Sequence, residues 1–337
     1  MRKIGVGIIG MGVAGSLHAA SYAAIPDKAR IVAICDRNEK ALKTAVSVYG
    51  GKAYTDYHEL IARNDIEAVD VCLPHWLHAE ATVAAAEAGK HVLVEKPIST
   101  TLEDADRIIG AARKAGVKLM VAENHRFTPA HRLAKELVNQ GKIGRIFAAR
   151  AYELCNDVPT DPGGWKARPE AMGALLDMGV HKFNVLRWIV GEVESVFAVA
   201  RKLVCSLQTD IDDNAVILLE FANGALGEVF VTSSVVHEPT NRLELYGTEG
   251  TIIEEHSWKR PLMYYSQKAG RWVRPRVEHA PFPGYYEISF KKEVEHFVDC
   301  ILQDKQPEVT GEDGKAALKL ALAAYKSAKT GKIQRVG

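Results

Sequence analysis

The chain has 337 residues, more than one hydrophobic core usually serves, and 47% of them are hydrophobic, which is enough for two cores. Its 43 basic and 42 acidic residues leave a net charge of +1, so no strong field attracts nucleic acid or an anionic membrane. We therefore expect a two-domain protein whose partner is a small molecule, with no nucleic-acid partner.

The five cysteines lie far apart and show no CxxC spacing. This usage is typical of reduced core residues in a cytoplasmic protein, and it argues against a disulfide framework or a zinc site. No stretch of sequence reaches the roughly eighteen uninterrupted apolar residues of a membrane span. We expect a cytoplasmic protein without a metal or a membrane partner.

Strand and helix patterns alternate through the first 125 residues. The strand candidates, such as 68–73, are continuous apolar runs, which indicates a parallel sheet buried on both faces. We predict that residues 1–125 form a doubly wound Rossmann domain. Its predicted strands are 3–9, 29–35, one near Ala53, 68–73, 91–94 and 118–122, and its predicted helices are 13–24, 38–48, 56–62, 76–88 and 101–115.

A glycine-rich turn follows the first strand. Gly10 allows the tight turn, Gly12 lets the backbone approach a pyrophosphate, and Gly15 lets the next helix lie close to the sheet. The N-terminus of that helix offers free N–H groups and a positive dipole end to phosphate. The turn, including Met11 and Val13, is therefore a candidate dinucleotide-binding site.

Asp36 closes the second strand, where a carboxylate can accept a hydrogen bond from a ribose 2′-hydroxyl and repel a 2′-phosphate. This favours NAD. Arg37 leaves NADP open as the alternative, because a guanidinium can pair with that phosphate or stack on adenine.

The pattern changes after Asn124, where alternating strands and hairpin turns replace the α/β alternation. We predict that residues 126–337 form an α+β domain with a mostly antiparallel open sheet. Too few helices remain to cover both sheet faces, so we expect the open face to form a homodimer or homotetramer. The predicted helices are 129–139, 172–190, 286–303 and 312–330, and the predicted strands are 146–154, 195–204, 214–221, 226–232, 242–246, 251–255, 262–266 and 271–278.

Two charged side chains, Glu95 and Lys96, end the fifth strand just before Pro97. Ligands of open parallel sheets bind beyond the carboxyl ends of the strands, so this position is a candidate for chemistry. The alternative is an ordinary surface lysine. The sequence leaves open whether the Lys96–Pro97 bond is cis.

The predicted helix 172–190 places Asp177 and His181 four residues apart on one face. Alcohol oxidation needs a base for the hydroxyl proton, and a histidine or lysine suits that role. The alternative is a plain Asp/His pair that stabilises a helix.

Further candidates are less specific. Pro74, His75 and His78 follow the fourth strand, where contact with the cofactor or helix capping is favoured over a zinc pair. Trp165 and Arg168 lie in a loop that could close over a substrate, although the tryptophan side chain could equally serve only to fill space in the packing. Tyr152 is a candidate for substrate specificity.

Together these residues resemble the glucose-fructose oxidoreductase, inositol dehydrogenase and rhizopine-catabolism family, known as Gfo/Idh/MocA, over essentially the whole chain. The resemblance rests on motifs at 10–15, 74–78, 95–97, 124–129 (Asn-His-Arg-Phe-Thr-Pro) and 177–181 (Asp-Met-Gly-Val-His).

The resemblance implies a nicotinamide-dependent oxidoreductase that acts on a sugar, polyol or related ring alcohol. It implies that Lys96 binds the reacting hydroxyl, that His181 is an acid or base, and that Asp177 positions the substrate. Glu95, Asn124 and Arg126 are expected near the cofactor. Two departures, Ala171-Met172-Gly173 in place of a glycine run and Asn184 in place of an acid, concern the substrate pocket.

The expected reaction is hydride transfer between NAD and a secondary hydroxyl. One alternative keeps the cofactor but uses transient sugar oxidation to cleave or modify a glycoside. Another is a sensor of NAD and sugar without catalysis.

Overall fold

The computed structural model describes residues 2–336 and forms two compact units. One comprises the chain through Asn124 together with Ser289–Lys315, and the other comprises His125–Ile288 with the residues from Ala316 onward. Within the described residues, none of the helices combines the length and apolarity needed to cross a membrane.

The first unit contains a parallel sheet, as the sequence predicts, and its strand order is β3-β2-β1-β4-β5-β6. The strand order reverses between β1 and β4, which opens a crevice at their carboxyl ends. The strands are β1 Ile4–Ile9, β2 Ala29–Cys35, β3 Lys52–Tyr54, β4 Ala68–Val71, β5 His91–Glu95 and β6 Leu119–Ala122. The helices are α1 Val13–Ala23, α2 Glu39–Tyr49, α3 Tyr57–Ile61, α4 His78–Glu87 and α5 Leu102–Ala115.

Local signals set the ends of these helices. The Asn38 side chain accepts hydrogen bonds from the N–H groups of the first turn of α2, and Thr101 caps α5 in the same way. Gly116 ends α5 in the left-handed conformation at φ 67°.

The segment Ser289–Lys315 belongs to the first unit, whereas the sequence pattern predicts that residues 126–337 form the second domain. The Val121 N–H donates to the Val309 carbonyl at 3.1 Å, which continues the backbone hydrogen bonding of β6. Close packing adds to this, because a Cβ on Gly314 would lie 2.7 Å from the Val121 side chain. These contacts join residues about 190 positions apart, beyond the reach of local sequence patterns.

The second unit contains a sheet of order β14-β13-β12-β11-β7-β10-β9-β8-β15. Pairing is antiparallel apart from β7 with β10, which confirms the mostly antiparallel class. The strands are β7 Ile146–Leu154, β8 Val193–Arg201, β9 Asn214–Phe221, β10 Leu226–Thr232, β11 Thr240–Gly247, β12 Gly250–Glu255, β13 Leu262–Ser266, β14 Arg271–Val273 and β15 Gln334–Arg335. The helices within this unit are α6 Pro129–Asn139, α7 Ala174–Asp177 and α8 Gly179–Ile189. Helix α9, Gly284–Leu302, begins in the second unit and ends in the first, and helix α10, Gly311–Thr330, begins in the first and ends in the second.

The two faces of this sheet differ. Along β9, Ala215, Ile217 and Leu219 are buried, whereas Val216 and Leu218 are 46% and 52% exposed. This alternation is the period-two signature of a sheet with one covered face and one open face.

Candidate active site

The glycine turn of the first unit has the geometry that the sequence predicts. Gly10 has φ +98°, and a Cβ there would lie 2.2 Å from the Cys72 carbonyl oxygen. A Cβ on Gly15 would lie 2.0 Å from the Gly10 carbonyl oxygen, so only glycine allows α1 to pack this closely.

Gly12 differs from the other two glycines. Among the described residues, a Cβ on Gly12 would have no neighbour within 4 Å, so its backbone borders open space. Gly12 is also the N-cap of α1 and has no side chain to bond the N–H groups of the first helical turn, which therefore remain available to an anion. These features fit the diphosphate of a dinucleotide.

Asp36 joins the turn to the end of β2. One carboxylate oxygen accepts the Met11 N–H at 2.6 Å, and the other accepts the Asn38 N–H at 2.7 Å. Each oxygen keeps a second lone pair for a ribose hydroxyl. Arg37 is exposed beside it.

The residues after β4 are fixed by the backbone. His75 is buried in a short 3₁₀ turn, and the two ring nitrogens of buried His78 lie 2.8 Å from the Pro97 carbonyl and 2.7 Å from the Leu73 carbonyl. Burial lowers the pKa of His78 to about 4, and His75 adds to this, although both carbonyls favour the protonated ring. His78 thus links Leu73, which follows β4, to Pro97, whose peptide bond with Lys96 is cis. Pro74 lies between Leu73 and the 3₁₀ turn.

Glu95 ends β5, and Lys96 follows it directly. The Glu95 carboxylate is buried and accepts the Lys96 backbone N–H at 2.9 Å. The nearby His18 ring places Nδ1 at 2.7 Å from Asp70 and Nε2 at 3.2 Å from Glu95. Burial alone would lower the pKa of His18, but Asp70 and Cys72 together outweigh burial and raise that pKa well above its usual value.

His18 is thus a buried ring held in its charged form between Asp70 and Glu95, the residue that precedes Lys96. Sequence reasoning missed it, although its position three residues after Gly15 on α1 was a signal that it faces the sheet.

Asn124 and Arg126 are both buried. Asn124 donates to the Ser289 hydroxyl at 3.0 Å within the first unit. In the second unit, Arg126 donates to Asn184 at 3.2 Å and lies 4.9 Å above the Trp188 ring. Asn184, which the sequence marks as a departure from the family pattern, is therefore a partner of Arg126.

The predicted continuous helix over 172–190 is wrong. Met172 and Gly173 have φ +64° and +92°, so the helix cannot begin before Ala174, and it is broken at Met178 between α7 and α8. Asp177 ends the first helix, and His181 lies in the first turn of the second. The sequence pattern misled because apolar residues on both sides of the break fit one helical repeat.

Asp177 pairs with a residue that sequence reasoning missed. The Lys166 ammonium lies 3.1 Å from the Asp177 carboxylate and also contacts Asp157. Burial opposes the charged form, but the two carboxylates prevail and raise the pKa of Lys166. Lys166 therefore ties the loop that contains the partly buried Trp165 and the exposed Arg168 to the end of α7.

The start of α7 is held from a distant loop. The Asp212 carboxylate accepts the Leu175 N–H at 2.7 Å and the Tyr325 hydroxyl at 2.7 Å. A Cβ on Gly173 would lie 2.5 Å from the Asp212 carbonyl oxygen, so glycine is required where the loop crosses the helix start.

His181 is buried, and its ring stacks on that of His125 with centroids 4.1 Å apart. The neighbouring Lys182 is only 1% exposed and lies 2.7 Å from the Glu153 carboxylate of β7. A lysine within an apolar helix sequence was the signal that sequence reasoning did not use.

Tyr152 does not share this environment. It precedes Glu153 in β7 and so points to the opposite face of the sheet, where it stacks edge-on with Phe230 and lies beneath Arg150. Within the second unit, the sheet separates Tyr152 from His181, which does not support its expected role in substrate binding.

A sheet of this order, with an open glycine turn and a lysine at the crevice, defines a dinucleotide-binding oxidoreductase. Residues 4–123 match the family described as oxidoreductase family, NAD-binding Rossmann fold, and residues 135–336 match its C-terminal alpha/beta domain. The chain belongs to this Gfo/Idh/MocA family, which confirms the resemblance seen in the sequence.

Named relatives support the same class. The chain is 36% identical over 327 residues to a myo-inositol 2-dehydrogenase of Thermotoga maritima, covering 96% of this chain and 95% of that protein. It is 34% identical over 289 residues to a levoglucosan dehydrogenase of Pseudarthrobacter phenanthrenivorans, covering 75% and 74%. A levoglucosan dehydrogenase structure with NADH and L-sorbose superposes with a TM-score of 0.91 at 29% identity, covering 100% of both chains.

Proposed function

We propose that this protein is an NAD-dependent dehydrogenase that transfers a hydride between the nicotinamide and a secondary hydroxyl of a sugar or cyclic polyol, giving a keto sugar. One observation carries the proposal. Lys96 follows β5 at the same sheet edge where Gly10 follows β1, two strands away in the order β1-β4-β5. This position supports Lys96 as the proton-transfer group at the dinucleotide crevice.

The residues that would hold NAD come from the first unit. We assign dinucleotide binding to residues 1–125, with the diphosphate at Gly10, Gly12 and Gly15 and the adenosine ribose at Asp36. Substrate binding and oligomerisation are assigned to 126–337. Bound NAD supplies the hydride acceptor. Open space at Gly12 and the N-terminus of α1 support this assignment.

The chemical roles divide among three residues. The Lys96 ammonium binds the reacting hydroxyl and assists its ionisation. His181 takes up the hydroxyl proton as the ketone forms. Asp177 accepts a hydrogen bond from a substrate hydroxyl and is held for this task by Lys166 at 3.1 Å. Burial of His181 supports its role, since exclusion of water strengthens its electrostatic interactions.

The substrate class follows from chemistry and from the relatives. Asp177, Lys166 and Arg168 offer hydrogen-bonding groups of both kinds, which suit a polyhydroxylated ring. Two of the relatives are named as inositol and levoglucosan dehydrogenases, and these names indicate substrates of this kind. Trp165 and Arg168 are the candidates for contact with the ring.

Absorbance of NADH tests this function. The protein is incubated with NAD and each compound of a panel of inositols, pyranoses and anhydrosugars. We expect NADH to accumulate with at least one of them. Copurifying NAD with glycoside cleavage and no NADH release would indicate the transient-oxidation alternative. Tight NAD binding without NADH formation from any compound of the panel would favour the alternative of a non-catalytic sensor of NAD and sugar.

We also propose that the open face of the second sheet forms a homodimer or homotetramer. Exposed apolar side chains cluster on neighbouring strands of that face, where Val199 of β8 is directly opposite Val216 of β9 and Leu218 lies two residues on. Clustered exposed apolar residues mark association surfaces.

We also propose a cytoplasmic location, because the five cysteines form no disulfide and this suits a reducing compartment.

A further inference from the structure

The imidazole of His181 has a ring partner with no assigned role. His125 lies face to face with it, with ring centroids 4.1 Å apart and planes 10° from parallel. Both rings are buried, at 2% and 8% exposed. Offset stacking of flat rings at such a distance restricts how either ring can tilt.

The contacts at Nδ1 fix the tautomer of His125. The Asn241 amide nitrogen lies 3.1 Å from His125 Nδ1, and the Lys182 ammonium lies 3.4 Å from it. Both groups are donors only, so Nδ1 must accept and the single ring proton must lie on Nε2.

These donors are themselves held in place. The Lys182 ammonium donates to Asn241 Oδ1 at 2.5 Å and forms an ion pair with Glu153 at 2.7 Å. Lys182, Asn241 and Glu153 are at most 3% exposed and belong to α8, β11 and β7. Paired buried charges of this kind hold their geometry, because breaking the pair leaves an uncompensated charge.

The same surroundings keep His125 neutral. Burial lowers the pKa of His125 well below its usual value, and the neighbouring His181, Lys182, His131 and His256 lower it further. Glu153, the acid that faces the ring at 3.7 Å, is already paired with Lys182.

We propose that His125 is a positioning residue for His181, a flat, neutral ring of one tautomer that holds the plane of the His181 imidazole for proton transfer. The proposal rests on the proposed acid–base role of His181. A tilt of the His181 ring moves its nitrogen from the reacting hydroxyl, and small misplacements of a catalytic group cost large factors in rate.

Two substitutions form a matched test. His125→Phe and His125→Leu both fill the site with an apolar side chain and both remove the acceptor of Asn241, but only phenylalanine is flat. We expect His125→Phe to keep kcat within about threefold of wild type and His125→Leu to lower kcat by about tenfold or more. KM for the substrate and Kd for NADH should stay close to wild type in both variants.

Equal kcat values for the two variants would overturn the positioning role. The His181→Ala variant tests the underlying function separately. If His181→Ala retains wild-type kcat, the acid–base role fails and the positioning proposal fails with it. If His181→Ala is inactive while the two His125 variants match, only the positioning proposal fails.

Wild-type protein provides a test that does not depend on how the variants fold. Nitrogen-15 NMR of histidine-labelled protein at neutral pH should show His125 as the neutral Nε2–H tautomer. A doubly protonated ring or the Nδ1–H tautomer would contradict the proposal.

Discussion

The Lys166 ammonium lies 3.1 Å from the carboxylate of Asp177, the residue that ends α7. This ion pair joins a loop with substrate-binding candidates to a residue proposed to hold a substrate hydroxyl. The orientation of Asp177 thus depends on a cation eleven residues earlier in the chain.

Lys166→Met should raise KM for the sugar or polyol by about tenfold, which corresponds to 1.4 kcal/mol of binding, with a smaller effect on kcat. The reason is that Asp177 loses the partner that orients it and the loop loses its tie to α7. Steady-state kinetics measures this, with the exposed Lys142→Met as the control. An unchanged KM would show that the Lys166–Asp177 pair has no part in substrate binding.

We expect cofactor choice to depend on Asp36, because its carboxylate is held by the Met11 and Asn38 N–H groups where it would repel a 2′-phosphate. Isothermal titration should show NAD binding at least about tenfold tighter than NADP, and Asp36→Ser should narrow that ratio. Tenfold tighter binding of NADP to the wild-type protein would mean that the role given to Asp36 is wrong.

Stability should fall in mild acid because of buried histidines. Burial lowers the pKa of His131 well below 6.5, and His256 and Lys182 add to this. The unfolded chain therefore binds a proton at higher pH than the folded protein, so the free energy of unfolding decreases as pH falls below about 6.5.

His131→Phe should make that decrease less steep, as measured by urea denaturation over a pH series. His58→Phe at an exposed position is the matched control and should keep the wild-type slope. The same slope in both variants would contradict a buried, neutral His131.

Leu218→Arg should weaken the proposed oligomer, because it places a charge at the centre of the exposed apolar cluster on β9. Light scattering after size-exclusion chromatography measures the mass. The control is Val48→Arg, an exposed apolar position on α2. A wild-type monomer, or a variant of unchanged oligomeric mass, would count against this face as the interface.

The sequence predicted those features that depend on local spacing. The glycine turn, Asp36 and the position of Lys96 after β5 each follow from a strand, a turn and a helix in succession, so short-range patterns suffice. The parallel pairing of the first unit follows from the alternation of strands and helices.

Features that depend on tertiary contact escaped prediction. The break at Met178 lies within an apolar run that fits a continuous helix, and the anchor of α7 comes from Asp212, 37 positions from Leu175. His125 and Lys182 meet across 57 positions. The face of β7 on which Tyr152 lies was undetermined until the packing of α8 on that sheet was known, since alternation alone gives two equivalent choices.

Removal of the hydroxyl proton with the help of Lys96, while hydride passes to NAD, is the step on which the proposed function depends. Its most direct test is single-turnover formation of NADH by the wild-type protein and by Lys96→Met, with NADH affinity measured on both. Lys96→Met should form essentially no NADH yet bind NADH as tightly as wild type. Formation of NADH by Lys96→Met at the wild-type rate would contradict this role of Lys96.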